Sequence, residues 1–191
     1  MISAANLPEV IQRAKLGDRN AFRQLVESLQ GFLYRVAIRM VPSKPDAEDI
    51  VQEVFIKMWR NLHTYNPEIR LTTWLYKMVM NQSLDFLKSK GNQLYSHQVD
   101  LDRLKSFTST HNPETDYQQA EWVNLVYQAA EDLSPHQKAV FVLRDLESLS
   151  ADEVCTVLEM SSGNMKSNLY YARKAIQKRL SKLYEYQKGI T

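Results

Sequence analysis

Residues 46–62, which read DAEDIVQEVFIKMWRNL, carry the clearest helical pattern of the chain. Apolar side chains recur there every three or four positions, which is the spacing of a single buried face of an α-helix. This apolar row consists of Ala47, Ile50, Val51, Val54, Phe55, Met58 and Leu62. The pattern predicts an amphipathic helix whose apolar row belongs to the core of a helical domain.

The opposite face of the same helix is polar, with one apolar residue in its middle. It carries Asp49, Gln52, Glu53, Ile56 and Arg60. An apolar centre with a polar rim is typical of a protein-binding surface, and we interpret this face as one. A solvated face with one stray apolar residue remains the alternative when the helix is considered alone.

Three carboxylates of this helix raise the further alternative of a magnesium site. Asp46, Asp49 and Glu53 share one face and could offer oxygen ligands to the ion. No additional ligand cluster and no glycine-rich phosphate loop accompanies them in the sequence. We therefore predict no metal site, and no motif implies a cofactor.

Helical periodicity covers most of the chain and predicts an all-α protein. It runs from about residue 8 to 90 and resumes near 117, and only 5 Gly and 6 Pro occur among 191 residues. The stretch between, GNQLYSHQVDLDRLKSFTSTHNPET, is polar and lacks a sustained apolar row, which is typical of a flexible linker. We predict two small helical domains, residues 1–91 and 116–191, joined by a linker at 92–115.

Capping residues indicate helix boundaries in the first domain. Pro8 suits the first turn of a helix, Gly17 suits its end, and Asp18 suits the N-cap of the next helix. We interpret RNAFRQLVESLQ and FLYRVAIRM as two separate helices. The break PSKPD then places Asp46 where it can cap the acidic helix.

Residues 64–90 predict a loop around Asn66 and Pro67, followed by a helix with a basic, hydrogen-bonding edge. Such side chains suit phosphates and base edges. The outward row of this helix is predicted to be Thr73, Lys77, Asn81, Leu84 and Lys88, and the inward row Leu71, Leu75, Met78, Val79 and Phe86.

Aromatic residues gather around the start of this helix, at Trp59, Tyr65, Trp74 and Tyr76. Aromatic rings can stack on extruded bases, but tryptophan is more often part of a core. We therefore assign Trp59 and Trp74 to the core. Tyr65 lies in a polar loop and is the predicted contact.

Residues 134–180 predict three helices joined by short turns. Ser134 precedes Pro135, the segment SADE at 150–153 forms a capping box, and Ser161 can cap the last helix. A short helix, ADEVCTVLE, and a tight turn, MSSG, come directly before that last helix. This order is typical of a helix-turn-helix, whose second helix enters the major groove of DNA.

The last helix has a basic outward face. Residues 160–191 contain seven Lys or Arg and one acid, Glu185, which is the charge asymmetry expected of a DNA-binding element. A basic solvated helix is the alternative. The predicted outward residues are Ser162, Lys166, Ser167, Tyr170, Tyr171, Arg173, Lys174 and Lys178, and the predicted buried ones are Met165, Leu169, Ala172, Ile176 and Leu180.

The remaining composition argues against several other classes of protein. The single cysteine, Cys155, permits no intrachain disulfide and no thiolate zinc site, and its position in an apolar row predicts a buried side chain. No stretch is long and apolar enough to span a bilayer. The four histidines are scattered without a nucleophile at suggestive spacing, which disfavours an enzyme. We expect a cytoplasmic protein.

Taken together, these segments resemble the extracytoplasmic-function (ECF) branch of the bacterial sigma factors, the promoter-recognition subunits of RNA polymerase. The likeness covers nearly the whole chain. AKLGDRNAFRQLVESLQGFLYRVAIRMV resembles the opening helices, DAEDIVQEVFIKMWRNL the polymerase-binding segment, and LTTWLYKMVMNQSLDFLKSK the helix that reads the minus-ten element. The segment from LSPHQKAVFVLRDLESLS to ARKAIQKRL resembles the domain that reads the minus-thirty-five element.

The resemblance implies roles for the residues selected above. The acidic helix would face the coiled-coil of the polymerase's largest subunit through Asp46, Asp49, Gln52, Glu53 and Ile56. The minus-ten strand would be met by Lys57, Tyr65, Thr73, Lys77 and Asn81. The minus-thirty-five duplex would be met by Ser162, Lys166, Ser167, Tyr170, Tyr171, Arg173 and Lys174.

The implied partners are core RNA polymerase, promoter DNA and an anti-sigma factor that covers both DNA-reading domains. Asn168 and Tyr171 stand where the family often has arginine, so the preferred minus-thirty-five sequence cannot be carried over from relatives. A helix-turn-helix regulator that acts without joining polymerase is the alternative. It would leave the acidic helix unexplained.

Overall fold

The helices begin and end largely where capping and periodicity predict. The computed structural model describes residues 6–41, 43–90, 126, 129–130 and 133–188, and the predicted linker lies outside them. The chain divides into two units, Met1–Phe86 and Leu87–Thr191. The domain limits drawn from the sequence stay predictions. No strand occurs among the described residues, and the all-α fold class is confirmed.

The described part of the N-terminal unit contains three helices, one short 3-10 turn and most of a fourth helix. Each helix buries an apolar row against its neighbours, so that the core lies between them. The elements are α1 (Leu7–Lys15), α2 (Arg19–Met40), α3 (Lys44–Asn61), the 3-10 turn Leu62–Thr64, and α4 (Leu71–Lys90).

The start of α2 confirms the capping prediction, whereas the start of α3 corrects it. The Asp18 carboxylate accepts hydrogen bonds from the backbone N–H groups of Asn20 and Ala21, at 2.8 and 3.1 Å. Helix α3 begins at Lys44 and is capped by Ser43, not by Asp46. The Ser43 hydroxyl accepts from the Asp46 N–H and donates to its carboxylate, so Asp46 lies inside the first turn.

Helix α2 is continuous, so the predicted break between two shorter helices is wrong. It contains Gly31 in its interior, a residue that costs about 1 kcal/mol there relative to alanine. Leu25 and Leu33, on either side of the glycine, are both fully buried. Burial of such side chains contributes about 1.5–3 kcal/mol each, which outweighs the propensity cost of one glycine.

Helix α4 confirms most of its predicted inward row. Leu71, Leu75 and Val79 are buried, but Leu84, which we expected on the outward row, is buried as well. Met80 lies four residues before Leu84 and is also buried, so the apolar face of α4 is wider than its leucine spacing indicates. The outward row is therefore shorter than predicted.

The second unit has three fully described helices and confirms the predicted caps. Ser134 and Ser150 each form a reciprocal capping box, with Gln137 and Glu153. Its core contains Ala129, Ala130, Leu133, Phe141, Ala172 and Ile176. The elements are α5 (Pro135–Phe141), a π-helical turn (Val142–Leu146), α6 (Ala151–Leu158) and α7 (Ser162–Lys188).

The turn between α6 and α7 differs by a few residues from the prediction. Glu159 adopts a left-handed conformation, with φ of 51°, and ends α6. Ser161 accepts a hydrogen bond from the Asn164 N–H at 3.2 Å, as its predicted capping role requires. Gly163 thus lies inside α7 and not in the turn. Cys155 of α6 is half-buried and not fully buried.

Candidate protein-binding and nucleic-acid-binding surfaces

The outward side of α3 presents a continuous polar surface with an apolar centre. We define the α3 face as Asp49, Gln52, Glu53 and Ile56. All four side chains are exposed, Ile56 to 43%, while the predicted apolar row behind them is buried except for the half-buried Phe55. The predicted exposure of this face is confirmed.

Two further residues of α3 are placed differently from expectation. Asp46 is half-buried and bound to Ser43, so it borders the α3 face at the helix start. Trp59 is 40% exposed, and its assignment to the core is wrong. Its ring packs edge-on against Phe22 of α2, with 4.7 Å between ring centroids. The indole therefore lies at the edge between core and surface.

The loop between α3 and α4 is organised around Tyr65, which is only 6% exposed. The expectation of an exposed ring is wrong. The Tyr65 hydroxyl donates to the Ile69 carbonyl at 2.6 Å, and its ring packs against the half-buried Trp74. Lys15 of α1 donates to the Tyr65 carbonyl at 2.6 Å and lies 5.6 Å from the ring centroid.

Burial changes both the chemistry and the role of Tyr65. Loss of solvent around the phenol raises its pKa, because the charged phenolate is the form that burial disfavours. A ring held in this way cannot stack on a base without leaving its site. Tyr65 thus fixes the loop, and the surface that the loop offers is made by other residues.

The outer part of the same loop is a tight turn. Asn66 accepts from the Glu68 N–H at 3.0 Å, and the Ile69 N–H donates to the Asn66 carbonyl at 3.1 Å. The turn leaves Ile69 45% exposed beside the start of α4. Sequence reasoning did not select Ile69, although an Asn-Pro-Glu segment is a recognisable turn signal.

Lys57, the candidate minus-ten residue of α3, contacts α4 in the structure. Lys57 of α3 donates a hydrogen bond to the Gln82 side-chain carbonyl, next to Asn81 on α4. Asn81 is exposed, whereas Lys57, Thr73 and Lys77 are half-buried. Packing of α3 against α4 therefore brings Lys57 to Gln82, which is 25 positions further along the sequence.

The outward side of α7 carries an unbroken row of polar, basic and aromatic groups. We define the α7 row as Lys166, Ser167, Tyr170 and Lys174, all of which are exposed. The Lys174 ammonium lies 5.8 Å from the centroid of the Tyr170 ring. The adjacent Tyr171 ring contacts Tyr170 edge-on and is exposed too, as is Ser162 at the helix start. Their predicted exposure is confirmed.

Arg173 lies beside this row and is exposed, as predicted, but its guanidinium pairs with a carboxylate of another element. Its guanidinium donates to both carboxylate oxygens of Asp145 on the π-helical turn, at 2.6 and 2.9 Å. The hydrogen bonds to Asp145 raise the pKa of Arg173 further above its usual range. A bidentate pair fixes both side chains, so this cation positions α7 against the turn. The lysines remain as the more available charges.

No helix among the described ranges is long and apolar enough to cross a bilayer. Nor does any group of three or more histidine, cysteine or acidic side chains converge in the described parts of the chain.

Two family models match the two units. The sigma-70 region 2 model matches residues 25–93, which include the α3 face and the loop around Tyr65. The sigma-70 region 4 model matches residues 124–176, which include α6 and the whole α7 row.

Curated relatives match over almost the full chain. The ECF RNA polymerase sigma-E factor of Escherichia coli is 30% identical over 180 residues, which cover 91% of this chain and 94% of the relative. The RNA polymerase sigma-H factor of Pseudomonas aeruginosa is 28% identical and covers 96% and 98% of the two chains.

The fold itself has solved counterparts. The sigma factor RpoE of Bartonella quintana, crystallised in complex with the anti-sigma factor NepR, superposes with a TM-score of 0.65 at 19% identity. The match covers 84% of this chain and 96% of that one. This likeness concerns the fold, whereas the relative from E. coli shows the family. The chain belongs to the ECF sigma factors of bacterial RNA polymerase.

Proposed function

We propose that this protein binds core RNA polymerase through the α3 face and directs it to promoters through α4 and α7. The observation that carries the proposal is the α3 face, where an exposed isoleucine is surrounded by acidic and amide side chains. Such a surface suits a protein partner with complementary basic groups. The partner surface that we propose is the coiled-coil of the polymerase's largest subunit.

The proposed minus-ten site consists of the polar edge of α4, with Lys57 beside it. Asn81 is exposed and available for base edges, Lys77 lies one turn before it on α4 and Thr73 two turns before it, and Lys57 bonds to the neighbouring Gln82. We give Tyr65 a positioning role, because its ring is buried and its hydroxyl holds the Ile69 carbonyl. The exposed Ile69 is the apolar group that this loop offers to an unpaired strand.

The free-energy cost of promoter opening is too large for this protein to meet without the polymerase. Opening about ten base pairs costs on the order of 10 kcal/mol or more, while stacking of one captured base returns about 1–3 kcal/mol. The isolated protein is therefore expected not to melt promoters. Its surfaces act after the α3 face has joined it to core enzyme.

Regulation and cellular setting follow from the same proposal. We propose that an anti-sigma factor covers the DNA-reading surfaces, as the complex of the B. quintana relative suggests by analogy. Sigma factors are initiation factors without enzymatic activity, and we assign no bond chemistry to this chain. Its place of action is the cytoplasm, where polymerase and promoters are found.

Reconstituted transcription tests the proposal directly. Core RNA polymerase with genomic template should initiate at a discrete set of sites only when the protein is added. The protein should also co-migrate with core enzyme in size-exclusion chromatography, because the proposed mechanism begins with that complex. Identical start sites with and without the protein would contradict the proposal, and DNA binding without co-migration would favour the helix-turn-helix regulator instead.

Replacement of a lysine in the α7 row tests the proposed minus-thirty-five site. Lys166→Ala is expected to weaken binding of holoenzyme to promoter duplex about 5- to 150-fold, because a good contact to a base pair is worth about 1–3 kcal/mol. Fluorescence anisotropy at fixed salt measures the effect. Lys182→Ala is the control, since it removes the same charge from an exposed site more than four turns further along α7. Equal losses in both variants would reject the Lys166 contact.

A further inference from the structure

A surface groove of about 520 Å³ lies between α2 and α3 of the N-terminal unit. Its α3 wall includes Gln52, which also belongs to the α3 face, so the groove and the face are continuous. The side chains around it are mainly amide, phenol and carboxylate groups. The lining residues are Gln30, Gly31, Tyr34, Glu48, Val51 and Gln52.

Nothing inside the protein requires the glycine in this groove. Gly31 has ordinary helical conformation, and a Cβ atom added there would meet no atom within 4 Å. Glycine is among the least favourable residues for the interior of a helix, so α2 would be more stable with alanine at this position. Because Gly31 has no side chain, the groove stays open at this position and has room for an atom of a partner molecule.

The chemistry of the groove indicates what enters it. Val51, at 9% exposure, supplies an apolar contact in the groove wall. The exposed Glu48 and Gln52 provide a carboxylate and an amide oxygen at its rim. A long cationic side chain fits such a site, because its methylene stem can cover apolar surface while its charged end meets the oxygens.

We propose that the groove receives an arginine or lysine side chain from the polymerase subunit that binds the α3 face. Gly31 and Glu48 then belong to the docking site together with the α3 face, and α2 forms its second wall. This inference rests on the proposed function, since it needs polymerase as the partner. It adds to the docking site Gly31 and Glu48, which the helical pattern of α3 does not indicate. Gly31 contributes because it has no side chain.

Two substitutions at residue 31 distinguish an effect on the stability of α2 from an effect on binding to core polymerase. Gly31→Ala should raise the melting temperature by about 4–8 °C, because alanine favours the helix. Gly31→Trp should fill the groove and weaken binding to core polymerase at least about tenfold, with an unchanged circular dichroism spectrum. Gln12→Trp is the control, because it adds the same ring at an exposed position of α1. An unchanged affinity of Gly31→Trp would overturn the proposal, and so would a lower melting temperature of Gly31→Ala.

Charge reversal at residue 48 tests the nature of the incoming group. Glu48→Lys should weaken core binding at least about tenfold, with a smaller loss at high salt, because like charges then meet in the groove. Normal binding by this variant would overturn a cationic occupant. Failure of the unaltered protein to bind core enzyme would overturn the proposed function as well. Loss of binding in α3-face variants alone, with Gly31→Trp and Glu48→Lys normal, would overturn only this inference.

Discussion

The double variant Asp49→Lys with Glu53→Lys should lose at least about 99% of its affinity for core RNA polymerase while keeping its fold. Both side chains are exposed and lie off the buried row of α3, so their replacement leaves the core unchanged. Placing like charges against each other costs several kcal/mol, and each 1.4 kcal/mol corresponds to a factor of ten. About 3 kcal/mol is sufficient for the expected loss of about 100-fold.

The measurement is a titration of labelled protein with core enzyme at physiological salt. A matched control is Glu9→Lys with Asp152→Lys, which changes the net charge by the same amount at exposed sites on α1 and α6. Thermal unfolding of both double variants shows whether either has lost its fold. If the α3 variant still co-purifies with core enzyme, or if the control loses binding to the same extent, the α3 face is not the docking site.

Truncation of Tyr65 should have the second large effect, and it should act on stability first. Tyr65→Ala is expected to lower the free energy of unfolding of the N-terminal unit by about 3–5 kcal/mol, as for other buried aromatic residues. Tyr65→Phe keeps the ring and loses only the hydrogen bond to the Ile69 carbonyl. Its expected cost is about 0.5–1.5 kcal/mol. Urea unfolding followed by circular dichroism measures both values.

Promoter opening distinguishes a positioning role of Tyr65 from direct contact with DNA. With the ring buried, Tyr65→Phe should support open-complex formation almost normally, because the packing of the loop is preserved. Permanganate footprinting of the opened strand reports this step. A Tyr65→Phe variant of normal stability that cannot open promoters would show that the hydroxyl contacts the strand, and the positioning role would then be wrong.

The buried phenol also gives the N-terminal unit a specific dependence on alkaline pH. Burial raises the pKa of Tyr65 above its ordinary value of about 10, so the unfolded chain loses this proton at a lower pH than the folded protein does. The stability linked to the neutral phenol is present below pH 10 and is lost as the pH rises through the raised value. Tyr65→Phe should show a shallower loss of stability in this range than the unaltered protein.

Local signals in the sequence predicted the helices and most of the surface. The period of α3 identified both its buried row and the exposed Ile56, because a helix repeats its faces over a few residues. The caps at Asp18, Ser134, Ser150 and Ser161 could be recognised for the same reason, since each bonds to backbone groups within three residues. The outward α7 row followed from equally short spacings.

Contacts between distant residues could not be predicted in this way. Lys15 and Tyr65 are 50 positions apart, and Asp145 and Arg173 are 28 apart, yet each pair is hydrogen-bonded. Polar composition around Tyr65 indicated an exposed loop, whereas the ring is buried and contacts Trp74 of α4 and Lys15 of α1. Arg173 has the spacing of an outward residue, but a carboxylate from another element binds it.

Sequence patterns thus identified the apolar and charged faces of α3 and α7, because those properties depend on neighbours within one or two turns, whereas the width of the apolar face of α4 was underestimated. They leave open which groups from other helices approach a given face. The groove at Gly31 and the bound state of Arg173 arise only when helices pack, since both depend on the distances between elements far apart along the chain.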